Sequence, residues 1–439
     1  MSIVSQVRET LEGFFGDAVE TANQQTQAVI RRRKFTARSL AMTFILGLLR
    51  NPRASLADLA AAAAEAGADV SAQAIENRFT PRLAAFLEAL FRQAAQQVIA
   101  SAHTLAPLLE RFSSVILMDS SGIRLPDSAQ EQFPSTGGDG GPAALKLQTR
   151  LDLKSGALSV QLEAGKSTDG ATSLQHVPAQ PGSLRITDLG YFCIAVFAAI
   201  ARQQAYFLSR IQHTTTVWVD GQRQGDVVSW LNQQAAALLD QWLVIGTKDR
   251  LRCRLIAWKV PQEQANRRRQ RARLDAKKRG RQPTAATLAA CDWTFLITNV
   301  SAEQLTTKEV LVFYRARWQI ELLFKRWKSI GLIAELSGRN DVEQLVRLWG
   351  RLCAALIQHW LTVMIGWNSD HCWSLVRIAR RAGELVGELM AALSGAWDVT
   401  AVLERFARRI GRIARRNPRR KPGTLELLRD PERLDYALS

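Results

Sequence analysis

The stretch FYRARWQIELLFKRWK, residues Phe313 to Lys328, decides how the chain is read. Tyr314, Arg317, Glu321 and Lys328 stand at relative positions 0, 3, 7 and 14. At 3.6 residues per turn these spacings predict a helix with all four side chains on one narrow stripe, joined by Lys325. Ile320, Leu323, Phe324 and Trp327 supply an apolar flank suited to packing on a sheet. The stripe offers one carboxylate among cations and a phenol. Two readings are open at this point. It is a solvated face stapled by Arg317–Glu321 and Glu321–Lys325 pairs, each worth only ~0.2–0.5 kcal/mol, or it is a set of groups aimed at a ligand.

Working outward, two apolar, strand-like segments end on an acid: SVILMD, ending at Asp119, and SLRITD, ending at Asp188. In open α/β sheets the carboxyl ends of strands are where ligands bind. Between them LKLQTRLDL (Leu145 to Leu153) and ALSVQLEA (Ala157 to Ala164) alternate apolar and polar residues, and Lys154-Ser155-Gly156 reads as their hairpin turn. AYFLSRI (Ala205 to Ile211) is a further strand. Residues 213–305 carry four more strand-like runs, interrupted by the helix-like QANRRRQRARLDAKKRGR (Gln264 to Arg281). From Glu263 to Arg281 there are nine basic residues against two acids.

Residues 1–105 read as helical. SLADLAAAAAEAG is a capped helix with Ser55 as N-cap, Asp58 at N3 and Gly67 at its end, and a short helix over Ser71 to Phe79 follows. The pair is a helix-turn-helix or an ordinary helical hairpin; spacing does not separate them. Basic clusters flank the chain at Arg31-Arg32-Arg33-Lys34 and, with nine basic residues and no acid, from Arg405 to Lys421.

The 439 residues include 58 Lys and Arg against 40 Asp and Glu, a net charge of +18, with 47% hydrophobic residues. That apolar content excludes general disorder, and the charge calls for a polyanion: nucleic acid or an anionic membrane surface. The longest apolar run, Leu189 to Ala201, has thirteen residues, short of the ~20 that cross a bilayer. Cys353 to Trp367 is interrupted by Gln358 and His359 and reads as a buried helix. The start, MSIVSQVRETLEGFFGD, lacks the layout of a signal peptide. A soluble, cytoplasmic, nucleoid-associated protein is expected, with no membrane partner. The five cysteines are scattered without a CxxC pair and the five histidines without an HxxxH or HxH spacing. Metal ligands would be oxygens, favouring magnesium or manganese over zinc.

The tyrosine, arginine, glutamate and lysine spacing of Tyr314, Arg317, Glu321 and Lys328 resembles the Y-(2)-R-(3)-E-(6)-K signature of the insertion-sequence-four group of bacterial DDE transposases. MDSSGIRLP (Met118 to Pro126) and ITDLGYF (Ile186 to Phe192) are similar to the family's first two acidic motifs, and ITNV (Ile297 to Val300) to the strand before the signature. The resemblance covers roughly residues 113 to 335. It implies an α/β fold: an RNase H-like mixed sheet with flanking helices, interrupted by a β-rich insertion, plus an N-terminal helical DNA-binding domain and a helical C-terminal region. The corresponding segments are 1–105 (helical, DNA-binding), 106–212 and 306–400 (two parts of the catalytic domain), 213–305 (insertion) and 401–439 (basic tail).

The resemblance further implies that Asp119, Asp188 and Glu321 form a catalytic triad holding two Mg²⁺ (or Mn²⁺) ions. Three converging carboxylates need such cations, since one pair at 4 Å costs ~4 kcal/mol at an effective dielectric of 20. Tyr314, Arg317 and Lys328 would hold phosphates near the DNA end. Trp293 is a candidate for stacking an extruded base, or else a core tryptophan. Arg210 is a candidate end contact, or else a strand-edge surface arginine. The implied partners are double-stranded DNA, both transposon ends and target, and a second copy of the chain in a homodimer on the DNA. The implied activity is metal-dependent cleavage at terminal inverted repeats and joining of the 3′-hydroxyls to target. A decayed, DNA-binding regulator and a nuclease without strand transfer are the alternatives. The three basic clusters would add salt-sensitive, sequence-independent grip.

Overall fold

The computed structural model describes residues 1–31, 33–137, 141–367, 373–414 and 422–434. Arg32 of the first basic cluster, Cys372 and residues 415–421 of the basic tail lie outside the described residues. By packing, the chain divides into two units. The first gathers Met1–Leu105, Ser120–Ser167 and Ile320–Pro418; the second gathers Ala106–Asp119, Thr168–Gln319 and Arg419–Ser439. This grouping cuts across the segments expected from sequence, because residues 1–105 share a core with residues after 320, and 213–305 share a sheet with their flanks.

In the first unit the helix Asp341–Gly366 is the central element, started by Asn340, whose Oδ1 accepts from the Glu343 amide at 2.9 Å. By length and composition it could cross a membrane, but its most apolar window is wholly buried in the protein. Helices Ala37–Arg50 and Pro81–Ala94 pack on it. Gly350 permits the close crossing: a Cβ there would stand 2.7 Å from Leu48 Cδ1 and 3.1 Å from the Phe44 carbonyl oxygen. The Ser55–Asp58 capping box and the positive φ of Gly67 (83°) form as expected. The second helix is shorter than expected, Ala72–Glu76. Thr80 and Pro81 start a new helix immediately afterwards, and the chain must turn to reach them.

Strands are numbered along the chain: β1 (Val115–Arg124), β2 (Ala144–Asp152), β3 (Leu158–Ala164), β4 (Leu184–Thr187), β5 (Tyr206–Arg210), β6 (Thr216–Val219), β7 (Gln222–Asp226), β8 (Leu238–Ile245), β9 (Leu251–Lys259) and β10 (Trp293–Thr298). In the first unit the end of β1 and the antiparallel hairpin β2–β3 run in the order β3-β2-β1. Gly156 makes the turn with φ +79°, and its carbonyl accepts a hydrogen bond from His359 Nε2 at 2.9 Å.

In the second unit the start of β1 pairs in parallel with β4, and β4 in parallel with β5. β10 then adds antiparallel to β5, followed by β9, β8, β6 and β7. The insertion's strands therefore extend the mixed sheet through β10, which lies beside β5 while the chain between them passes through β6 to β9. A shared core underlies β5 to β10: Phe197 stacks on Phe207 with centroids 4.7 Å apart, among Val217, Trp230, Leu255 and Ile297. Arg254 is buried within this unit, 1% exposed, forking onto Asp240 and donating to the Leu305 carbonyl at 2.7 Å.

Candidate active site and arginine cleft

β1 and β4 meet with Leu117 opposite Ile186. Two residues on from each stands an acid, Asp119 and Asp188. Side chains repeat with period 2, so if this register is continued the two carboxylates leave the same face, on strands about 4.8 Å apart. Asp119 does not end its strand as expected, since β1 continues to Arg124; its recorded pairing with β4 ends at Leu117, which sets Asp119 just past the paired edge. Asp188 follows β4 directly. Its Oδ1 accepts from the Gly190 amide at 2.9 Å, and its carbonyl oxygen accepts from Ser209 Oγ at 3.4 Å, which fixes the turn.

The signature does not form one continuous helix. Thr307–Ala316 and Trp318–Ser329 are separate helices, with Arg317 between them and its amide donating to the Tyr314 carbonyl at 3.1 Å, an i to i+3 tightening. No glycine or proline causes the break. It falls at the residue whose side chain is held by an acid: Arg317 Nη1 lies 3.3 Å from Asp119 Oδ2, with both side chains largely buried. The first helix is anchored by Phe313, edge-on to Phe112 at 5.5 Å.

Tyr314 is half-buried, and burial pushes its phenol up to about 12, against the pull of Arg210 and Arg317; Asp188 adds to the rise, and Arg317 also donates a hydrogen bond to it. Asp188, Tyr314, Arg317 and Arg210 therefore share one electrostatic environment. Trp318, next in sequence, is 54% exposed, with the Arg317 guanidinium 5.7 Å from its ring centre.

These groups border a cleft of about 920 Å³ within the second unit, lined by Arg210, Arg268, Arg271, Arg315, Arg317 and Tyr314. Among the described residues that line it none is acidic. Arg210 ends β5 and is exposed. Trp293 borders the cleft but is 1% exposed, its indole donating to Asn232 Oδ1 at 3.1 Å and its ring facing the Lys259 ammonium at 5.1 Å. It is built into the core of the unit.

The structure thus brings together Asp119, Asp188, Tyr314, Arg317 and Arg210. Glu321, Lys325 and Lys328 belong to the first unit, on the helix Trp318–Ser329; Glu321 is half-buried in its first turn, and both lysines are exposed. Ile320, Leu323, Phe324 and Trp327 are buried, as the apolar flank required. Arg268, Arg271 and Arg315 were not singled out by sequence reasoning. The available signal was Gln264, Arg268 and Arg271 at i, i+4 and i+7, one face of a helix inside the basic run.

The Asp119–Asp188 pair fits a hard divalent cation, which takes one or two carboxylates and completes its shell with water and substrate phosphates. Among the described residues no group of three or more His, Cys, Asp or Glu side chains converges as a metal site.

The site and the sheet define the class of the protein, and comparison with known families agrees. The chain belongs to the family described as the transposase DDE domain, whose model matches residues 110–357. It is an enzyme of DNA transposition. Among its relatives, the transposase of insertion sequence element IS231F from Bacillus thuringiensis subsp. israelensis is 26% identical over 361 residues, 77% of this chain and 76% of that protein. The transposase of IS1151 from Clostridium perfringens is 27% identical over 313 residues, 65% of each chain. A cryo-EM structure of the piggyBac transposase synaptic complex with hairpin DNA is similar with a TM-score of 0.44 and 10% identity, over 95% of this chain and 86% of that one.

Proposed function

We propose that the protein binds the terminal inverted repeats of its insertion sequence, cleaves the DNA ends, and joins the 3′-hydroxyls to target DNA by a cut-and-paste route. It acts in the bacterial cytoplasm as a homodimer that pairs two ends. The observation that supports this reading is the register of β1 and β4, with Leu117 opposite Ile186 two residues before Asp119 and Asp188, and Asp188 and Arg317 acting on Tyr314.

Asp119, Asp188 and Glu321 are the metal-holding carboxylates. With Asp119, Asp188 and Glu321 holding them, two Mg²⁺ or Mn²⁺ ions would activate the attacking oxygen and stabilise the leaving one in an in-line displacement. Arg317 offers a planar fork for a phosphate and Lys328 a point charge. Tyr314 accepts from Arg317, which leaves its own proton free to donate to a phosphate oxygen. Arg210 contributes a further cation. Lys325 stands one turn beyond Glu321 as an additional backbone contact. The edge of Trp293 shapes the cleft wall where a displaced base would lie.

The test is cleavage and strand transfer of a DNA fragment bearing the element's inverted repeats, with magnesium. Asp119→Asn, Asp188→Asn and Glu321→Gln are each expected to lose more than about 10³-fold in rate, as one removes a metal ligand from a site that works only when occupied. Retention of both steps in any of the three would remove that residue from the site. Nicking without joined products would identify a nuclease instead.

A further inference from the structure

The basic helix Gln262–Lys278 is polar nearly all round, with only Ala265 buried. Such a helix needs partners for its charge. Part of it is satisfied within the protein. Arg269 pairs with Asp292 and Arg267 with Glu263, while Arg268 donates to the Trp293 carbonyl at 3.0 Å and to Thr294 Oγ1 at 2.9 Å. Ala265 and Arg269 dock the helix, which turns Gln264, Arg268 and Arg271 into the cleft. Arg271 is exposed there, and none of the described residues lining the cleft is acidic. Arg210 and Arg315 line the same cleft without a carboxylate partner among its walls.

Collecting arginines in one concavity works against folding, because like charges repel. The repulsion is registered at Arg268, whose guanidinium is drawn down by burial and then by Arg210. A cleft with this composition is organised for an anion that arrives from outside.

We propose that Arg268 and Arg271 of the basic helix are phosphate-positioning residues, which with Arg210 and Arg315 clamp a stretch of DNA backbone in the cleft next to Tyr314 and Arg317. This rests on the transposase reading above and deepens it. It separates two residues with a defined seat from the diffuse charge of the rest of the helix. Arg268 is held by the Trp293–Thr294 backbone and side chain, so its fork is set before DNA arrives. Arg271, free of such ties, closes on the phosphate. A cleft of about 920 Å³ has the volume to take a few linked nucleotides of one strand.

The experiment measures the affinity of the full chain for duplex DNA carrying its inverted repeat, across salt concentrations, in calcium or without metal so that no cleavage intervenes. Arg271→Gln is the main variant, because Arg271 makes no hydrogen bond or ion pair that its loss would unbalance. Arg268→Gln is the second, read alongside its thermal unfolding. Arg273→Gln, on the same helix but not among the residues that line the cleft, is the comparison for bulk charge. Arg271→Gln is expected to weaken binding several-fold and to lower the slope of log affinity against log salt by about 0.9, one phosphate contact. Arg273→Gln should change the slope by less than half as much. Equal effects at positions 271 and 273, or no change at 271 while the wild-type chain binds its end, overturn the clamp and leave the transposase reading standing. Failure of the wild-type chain to bind any DNA overturns both.

Discussion

Arg317 Nη1 lies 3.3 Å from Asp119 Oδ2, so the residue proposed to hold phosphate is paired with a carboxylate proposed to hold a divalent cation. One guanidinium cannot serve both fully. A phosphate that drew Arg317 away would weaken this ion pair and favour a metal at Asp119. On the proposed function, DNA binding and metal binding would be coupled through this side chain. Arg317→Gln is expected to bind Mn²⁺ about tenfold more tightly in the absence of DNA, since it removes a positive charge from beside the ligand. The same variant should cleave at least about 100-fold more slowly. Titration calorimetry of the DNA-free protein reads the first effect, and unchanged Mn²⁺ affinity would show that the ion pair does not guard the site.

Tyr314 keeps its proton to about pH 12, chiefly because it is buried. Its hydroxyl is therefore a donor throughout the range in which the protein can be assayed. Tyr314→Phe is expected to cost one hydrogen bond, about 1 kcal/mol or five- to tenfold in end affinity. The ratio of wild type to variant should stay flat from pH 7 to 10. A ratio that falls within that window would mean the phenol ionises and the hydroxyl plays another part.

His359 is buried and held near pKa 4, by desolvation first and by Arg326 in addition, although its bond to Gly156 pulls the other way. A carbonyl only accepts, so the Nε2–H tautomer is set, and Nδ1 has no hydrogen-bond partner. The unfolded chain takes up this proton near pH 6.5 and the folded chain only near 4. Stability is thus undiminished above about 6.5 and falls as pH drops towards 4, by about 3 kcal/mol in all. Urea unfolding at pH 7 and pH 4.5 measures it. In His359→Gln that part of the slope should vanish; an unchanged slope would place the effect on other groups.

Arg254 carries no site chemistry, yet its loss should be among the most damaging in the second unit. It ties β9 to Asp240 on β8 and to the Leu305 carbonyl, and Thr307 Oγ1 also donates to Asp240. Arg254→Met takes the guanidinium away from the Asp240 carboxylate and the Leu305 carbonyl and is expected to cost about 3–5 kcal/mol. Adding Asp240→Asn should recover part of that loss. Full additivity of the two changes, read from denaturant midpoints, would show that they do not act as a network.

Much of this protein is legible in its sequence where local rules govern. Strand alternation marks β2 and β3 with their Gly156 turn, the Ser55–Asp58 spacing marks a cap, and the apolar flank of the signature is buried as its period requires. The order of acids and signature residues along the chain was enough to name a family, because that order is itself a property of sequence.

What the tertiary structure decided is where separate segments meet. The helical stripe through Tyr314 and Arg317 is interrupted at Arg317, at the residue whose guanidinium is engaged by Asp119, nearly two hundred positions upstream. The pairing of Asp119 with Asp188 depends on β1–β4 register, and a slip of one residue would send one carboxylate to the opposite face. The arginine cleft draws on β5, the basic helix and the first signature helix, three stretches whose charges in sequence look like ordinary solvated surface. Composition supplied the sum of charge. Only folding could collect five arginines in a cleft whose described lining has no acid, because the long-range field depends on distance in space, and sequence separation carries no information about that.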